Sequence, residues 1–142
     1  MYFDTAYIFK FYCNEPESSR VRALVTQAGG GIHSSSLAVV EFHSTLHRAM
    51  REKAYTRSEA EGIAQWFTSH IEVGLWRIVP ATDSLMRRTG TAVLAGPENL
   101  FLRAADAIHL ATARELGETE VWTSDRHMKE SAAWFGLAAR SV

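Results

Sequence analysis

Short β-prone runs alternate with helical stretches along the whole of this 142-residue chain. That alternation is typical of parallel βαβ units, in which helices cover both faces of one sheet. The sequence therefore predicts an α/β fold with a central parallel sheet. The β-prone runs lie at 2–4, 32–35, 76–79, 121–123 and, as a candidate edge strand, 137–139. The helical stretches lie at 5–13, 17–28, 37–53, 58–74, 83–94, 106–116 and 128–135.

Local signals predict where several of these helices begin and end. Ser58 and Glu61 have the spacing of a capping box, which places a helix start at Ser58. Gly117 follows the stretch 106–116, at the position after a helix where a left-handed glycine is common. The three glycines at 29–31 predict a turn between two elements.

Composition is that of an ordinary globular protein and no linker divides the chain, so we expect one domain over residues 1–142. The net charge of -1 argues against a broadly basic nucleic-acid binder but leaves room for a local basic rim. Cys13 is the only cysteine, which excludes an internal disulfide and a thiolate zinc cluster. No apolar run approaches the ~18 residues of a membrane span and no secretion signal opens the chain, so we expect a cytoplasmic protein without a membrane partner.

Four acidic residues lie among apolar neighbours, where a charged carboxylate is costly to keep. Asp4 and Asp125 follow predicted strands, at the edge where open α/β sheets bind their ligands. Glu41 lies in the second turn of one predicted helix, and Asp106 opens another. If the fold brings the four together, a hard divalent cation with oxygen ligands would relieve their repulsion. The chain is therefore a candidate metal-dependent enzyme.

Three of the acids also have a structural explanation when each is taken alone. Asp4 is compatible with a cap at the end of its strand, and Asp106 with a cap of the helix that it opens. Glu41 is compatible with the solvent-facing stripe of an amphipathic helix. His109 lies one turn beyond Asp106 and is a candidate metal ligand, although a buried structural histidine is the favoured interpretation.

Four blocks of the sequence, in order and spanning nearly the whole chain, resemble PIN-domain nucleases. The Asp-Ala-Ile-His-Leu-Ala-Thr-Ala block at 106–113 is the most specific of them. Within that family the chain is most similar to VapC toxins, the ribonuclease half of bacterial toxin–antitoxin pairs. The blocks lie at 2–6 with 9–12 and Glu15, at 34–41, at 102–113 and at 122–125.

The resemblance implies a three-layer α/β/α sandwich in which Asp4, Glu41, Asp106 and Asp125 form a metal-binding catalytic cluster. Carboxylate and water oxygens suit Mg²⁺ or Mn²⁺. Asp4 and Asp106 are expected to anchor the metal directly. Glu41 is expected to bind a second ion or to orient a water, and Asp125 to act through water.

Two threonines are expected to support this cluster. Thr123 occupies the family's Thr-x-Asp position beside the last acid. Many relatives carry a serine where this chain has Ala6, and the hydroxyl of Thr5 is the candidate replacement.

The activity that the resemblance implies is endonucleolytic cleavage of RNA by metal-activated water, which leaves a 5′-phosphate and a 3′-hydroxyl. It also implies a homodimer and a cognate VapB-type antitoxin that inserts a C-terminal segment near the acids. The RNA is unspecified, and a tRNA is the family's commonest theme. A polyanion needs basic residues near such a negative site, and Arg126, Arg48 and Arg51 are the candidates for RNA contact. A solvated helix end is the alternative for Arg48 and Arg51.

Two other functions fit parts of the pattern. A non-catalytic PIN-fold module that binds metal or RNA is favoured by the absence of the serine at Ala6. A phosphotransferase using Asp4 as nucleophile would carry a second aspartate at position 6, so Ala6 argues against it.

Overall fold

A computed structural model describes residues 1–142 and contains one five-stranded parallel sheet covered by helices on both faces. This confirms the predicted three-layer α/β/α sandwich. The strands are β1 (Tyr2–Phe3), β2 (Ile32–Ser35), β3 (Trp76–Val79), β4 (Glu120–Trp122) and β5 (Ala138–Arg140). The helices are α1 (Thr5–Tyr12), α2 (Ser18–Ala28), α3 (Leu37–Arg51), α4 (Arg57–Glu72), α5 (Asp83–Leu94), α6 (Ala104–Glu115) and α7 (Arg126–Ser131), and a 3₁₀ turn at Ala132–Phe135 follows α7.

The chain begins in the middle of the sheet, whose strand order is β3-β2-β1-β4-β5. From β1 the chain adds β2 and β3 on one side and returns later to add β4 and β5 on the other. Tyr2 is therefore in register with His33 of β2 and with Val121 of β4. The strand order reverses between β1 and β4, so a cleft is expected beyond their carboxyl ends.

The two residues of β1 feed separate hydrophobic cores, because successive side chains of a strand point to opposite faces. Phe3 packs in the larger core with Tyr7, Phe42 and Trp76, beneath α1 to α4. Tyr2 lies in the smaller core beneath α6 and α7. Both side chains are fully buried, so the shortest strand of the sheet joins its two helical layers.

The predicted capping box at Ser58 and Glu61 is wrong. The box is formed one half-turn earlier, where Thr56 accepts from the Glu59 amide and the Glu59 carboxylate accepts from the Thr56 amide at 2.7 Å. Both pairs have the Ser/Thr-x-x-Glu spacing, and the extended backbone of Thr56 places the helix start there.

The turn and end signals carried by glycine are confirmed. Gly117 follows the C-cap residue of α6 and has a φ of +75°. Residues 29–31, between α2 and β2, also all have positive φ. A side chain would strain these backbone conformations. No helix combines the length and the apolar composition that crossing a membrane requires.

Phe42 tests the larger core, because its ring is fully buried and stacks on Phe67 with the ring centroids 4.2 Å apart. We expect Phe42→Ala to lower the free energy of unfolding by roughly 3–5 kcal/mol, through lost burial and the cavity that remains. Urea denaturation measures the change. Val40→Ala is the control from the same helix, since Val40 is 65% exposed, and its effect should stay within about 0.5 kcal/mol. Equal losses in the two variants would contradict this packing.

Candidate functional site

All four predicted acids line one open cleft of about 430 Å³ beyond the carboxyl ends of β1 and β4. They come from four separate parts of the chain. Asp4 follows β1, Glu41 lies on α3, Asp106 lies in the first turn of α6, and Asp125 precedes α7. The other residues that line the cleft are Thr5, Ala6, Phe9, Glu15, Thr45, Arg48, Arg103, His109 and Met128.

Asp4 is the most deeply placed of these carboxylates, with only 4% of the residue exposed. It caps α1, because its Oδ1 accepts from the Tyr7 amide at 2.8 Å. Its Oδ2 accepts from Thr123 Oγ1 at 2.5 Å. Burial raises the pKa of Asp4 above its usual value even though both hydrogen bonds favour the ionised form. Asp4 is therefore the cap of a helix as well as a residue of the cleft.

Thr123 connects the ends of the two central strands. Its hydroxyl donates to Asp4 and accepts from the Asp125 amide at 2.9 Å. Asp125 in turn caps α7, since its Oδ1 accepts from the amides of His127 and Met128 at 2.8 and 3.0 Å. Thr123 thus links the first and last predicted acids through its hydroxyl.

Glu41 is held by a buried chain of hydrogen bonds that begins at β1. The Tyr2 hydroxyl lies 2.8 Å from His109 Nδ1, and His109 Nε2 lies 2.8 Å from Glu41 Oε2. Burial raises the pKa of Tyr2, so its phenol stays protonated and can donate a hydrogen bond to Nδ1 of His109. The opposite ring nitrogen then carries the hydrogen that is donated to Glu41.

Thr5 completes the environment of Glu41, because its hydroxyl also donates to Glu41 Oε2. Burial alone would raise the pKa of Glu41, but the hydrogen bonds from His109 and Thr5 outweigh it and hold the pKa below its usual value. Glu41 is therefore ionised at neutral pH. Thr5 lies where a supporting hydroxyl was expected, beside the position of Ala6.

Arg103 lines the cleft and contacts two of the predicted acids, and sequence reasoning missed it. Its Nε donates to Asp106 Oδ2 at 2.7 Å, and its Nη2 donates to Asp125 Oδ2 at 2.6 Å. These contacts raise the pKa of Arg103. Burial would raise the pKa of Asp125, but the Met128 amide and Arg103 hold it below its usual value. The available signal was spacing, because residues three apart in a helical turn are neighbours.

Asp106 is not the cap of its helix, which was the structural alternative for this residue. Arg103 occupies the N-cap position, and α6 starts at Ala104, two residues before the predicted start. Asp106 is therefore the third residue of α6 and lies in its first turn, where the positive end of the helix dipole favours a carboxylate.

The three arginines predicted to contact RNA differ in their position relative to the cleft. Arg48 lines the cleft from α3, whereas Arg51 and Arg126 do not. Arg126 is largely exposed, and its Nε lies 3.4 Å from Oε1 of Glu130 on the same helix. Of the three candidates, only Arg48 belongs to the wall of the cleft.

The chemistry of the cleft suits a hard divalent cation, because its charged acceptors are carboxylate oxygens, those of the four predicted acids and of Glu15. No three of the chain's histidine, cysteine, aspartate and glutamate side chains are arranged to hold a metal ion as they stand. A guanidinium already contacts one oxygen each of Asp106 and Asp125. The donor set fits Mg²⁺ or Mn²⁺ in type, and side chains must shift for three donors to converge.

The family model of the PIN domain matches residues 1–133. The chain therefore belongs to the PIN domain family, as its sequence blocks indicated. No curated protein sequence matches the chain significantly.

Three solved structures share this fold. VapC20 of Mycobacterium tuberculosis, a sarcin–ricin loop cleaving toxin, is 17% identical with a TM-score of 0.71, over 93% of each chain. A chain of VapBC2 from Rickettsia felis, bound to a DNA fragment from its promoter, is 12% identical with a TM-score of 0.67, over 99% of this chain and 96% of that one. A chain of FitAB bound to an IR36 DNA fragment is 19% identical with a TM-score of 0.69, over 99% of this chain and 93% of that one.

The opposite pKa shifts of Asp4 and Asp125 predict opposite effects of pH on stability. Folded Asp4 holds its proton to a higher pH than the unfolded chain, so its charge destabilises the fold increasingly as pH rises above about 4. In chelator, we expect Asp4→Asn to gain stability relative to the wild type across that range. Urea denaturation at several pH values measures the difference.

Asp125→Asn is the matched comparison. The pKa of Asp125 is lowered in the folded state, so its charge contributes stability above the unfolded pKa, and this is lost as pH falls through the folded pKa. The free energy of unfolding of the wild type should therefore increase relative to that of Asp125→Asn as pH rises toward about 4. If the stability differences of the two variants from the wild type changed with pH in the same direction, the burial argument for Asp4 would be refuted.

Proposed function

We propose that this chain is a metal-dependent endoribonuclease and the toxin of a VapBC-type toxin–antitoxin pair. The observation that carries the proposal is the convergence of four carboxylates from separate segments in one open cleft. Membership of the PIN domain family supports nuclease chemistry at that cleft.

Asp4 and Asp106 are the proposed direct ligands of Mg²⁺ or Mn²⁺, with Glu41 and Asp125 beside them. The buried charge of Asp4 supports this assignment, because a cation would offset the cost of desolvating it. When bound, the metal supplies Lewis acidity for the phosphodiester and lowers the pKa of water.

The remaining residues of the cleft have positioning tasks in this proposal. His109 and Thr5 hold the Glu41 carboxylate in one orientation, so that it can fix an attacking water by hydrogen bonding. Thr123 favours the ionised form of Asp4 by donating to it. Arg48 is the proposed contact to a backbone phosphate, since its guanidinium belongs to the cleft wall and phosphate contacts position a nucleic acid without reading its sequence. Arg126 and Arg51 would extend the contact to RNA outside the cleft.

RNA is the proposed substrate because VapC20, which shares the fold, is a sarcin–ricin loop cleaving toxin. The particular RNA, a tRNA or another species, is a matter for a survey of cleavage sites in total RNA.

A cognate VapB-type antitoxin is the proposed protein partner. VapBC2 and FitAB, which share the fold, are two-component assemblies bound to DNA. An antitoxin arginine that reaches Asp4 or Asp106 would compete with the charge of the metal. A homodimer is also proposed, and the exposed apolar side chains of Met86 and Leu94 on α5 support it, because such surface is costly in a monomer.

A non-catalytic module that binds metal or RNA is the second candidate. It is favoured by the guanidinium that already compensates Asp106 and Asp125, and by Ala6 where many relatives carry serine. Calorimetric titration with Mn²⁺ beside an RNA cleavage assay separates the two functions. Binding of Mn²⁺ without cleavage of any RNA in a total pool would favour the module.

The nuclease proposal predicts that the purified protein cleaves RNA with Mn²⁺ and that Asp4→Asn lowers the rate by at least roughly a hundredfold. The reason is that even outer partners of metal ligands cost 10–100-fold when they are lost. Cleavage of total RNA, followed on denaturing gels, measures the rate. Asp83→Asn is the control, since this exposed carboxylate pairs with Arg87 outside the cleft and its loss should leave the rate unchanged. Full activity in Asp4→Asn would overturn the proposal.

A further inference from the structure

Arg103 joins two of the four acids through one guanidinium. Nε contacts Asp106 on α6 and Nη2 contacts Asp125 after β4, each at Oδ2. The two contacts use different nitrogens, so a single side chain neutralises carboxylates that are 19 positions apart in sequence. Charge-assisted contacts of this kind are stronger than neutral hydrogen bonds.

A divalent cation and this guanidinium compete for the same oxygens. Both carry positive charge, and their repulsion would be large at the short distances that a shared carboxylate imposes. The cleft as it stands holds no group of three donors arranged for a metal. Full use of Asp106 and Asp125 by a metal therefore requires that Arg103 withdraw.

Withdrawal of Arg103 needs only a change of its side-chain rotamer. The side chain is 48% exposed, and the residue precedes α6 in extended conformation, so the helix itself does not have to move. Partly exposed ion pairs are weak enough to exchange readily with solvent. Asp125 keeps its helix-capping bonds through Oδ1 while Oδ2 is released.

We propose that Arg103 is a resident counter-ion that stabilises Asp106 and Asp125 without metal and lowers the affinity of the cleft for divalent cations. The inference rests on the proposed function, because it concerns the same metal. Arg103 is here a positioning residue, since it acts on the metal through the two carboxylates.

The test is calorimetric titration of Mn²⁺ alone into the wild type, Arg103→Met and Arg103→Lys. Loss of the guanidinium frees both oxygens, so Arg103→Met should bind Mn²⁺ roughly tenfold or more tightly than the wild type, which matches one or two charge-assisted hydrogen bonds. Arg103→Lys keeps one charge but cannot span both acids, so its affinity should lie between the two. Arg87→Met, which removes an exposed arginine that pairs with Asp83, is the control and should bind as the wild type does.

Thermal unfolding gives a second readout without catalysis. In chelator, Arg103→Met should melt below the wild type, because two carboxylates lose their counter-ion. Added Mn²⁺ should raise its melting temperature by more than that of the wild type, since tighter binding to the folded state stabilises it more.

The outcomes separate this inference from the nuclease proposal. A wild type that binds Mn²⁺ and cleaves RNA, together with an Arg103→Met variant of equal or weaker Mn²⁺ affinity, overturns the counter-ion role alone. Absence of Mn²⁺ binding in the wild type and in every Arg103 variant overturns both.

Discussion

The cleft depends on holding negative charge at the junction of the two central strands. Asp4 is buried where β1 ends, and Thr123 at the end of β4 donates to it, so one hydrogen bond supports the charge and links the two strand ends. Burial still raises the pKa of Asp4, which means that protein groups compensate its charge incompletely. Other side chains of the cleft compensate the neighbouring carboxylates. The guanidinium of Arg103 contacts Asp106 and Asp125, and the imidazole of His109 contacts Glu41.

Much of the fold was predictable because its strongest signals are local. The bounds of β2 and β3 agree with the sequence pattern, and β3 ends where Pro80 follows its β-prone residues. Errors occurred where two starts satisfied the same local rule. Thr56 and Ser58 both precede a glutamate by three residues, and only the path of the chain into α4 decides between them. Likewise the last helix ends at Ser131 and continues as a 3₁₀ turn, a change that composition does not signal.

The site was predictable in its acids but not in their partners. Topology alone places Asp4 and Asp125 at one edge, and the family resemblance adds Glu41 and Asp106. The contacts of Tyr2 with His109 and of Arg103 with Asp125 join residues 107 and 22 positions apart, and no periodicity encodes such pairs. His109 is both a buried histidine, as favoured, and a direct partner of Glu41. A side chain that is buried in the core and also contacts a cleft residue has both a structural and a functional position, so the two interpretations of His109 are not exclusive.

In the proposed site, the carboxylates at positions 4, 41, 106 and 125 surround the position of a divalent cation. Crystals grown with Mn²⁺ test this arrangement most directly, because anomalous diffraction locates manganese independently of the protein atoms. We expect an anomalous peak within coordination distance, about 2.0–2.4 Å, of oxygens from Asp4 and Asp106, with the Arg103 guanidinium moved away from Asp106. A cleft without manganese at saturating concentration, with Arg103 still bridging Asp106 and Asp125, would contradict it.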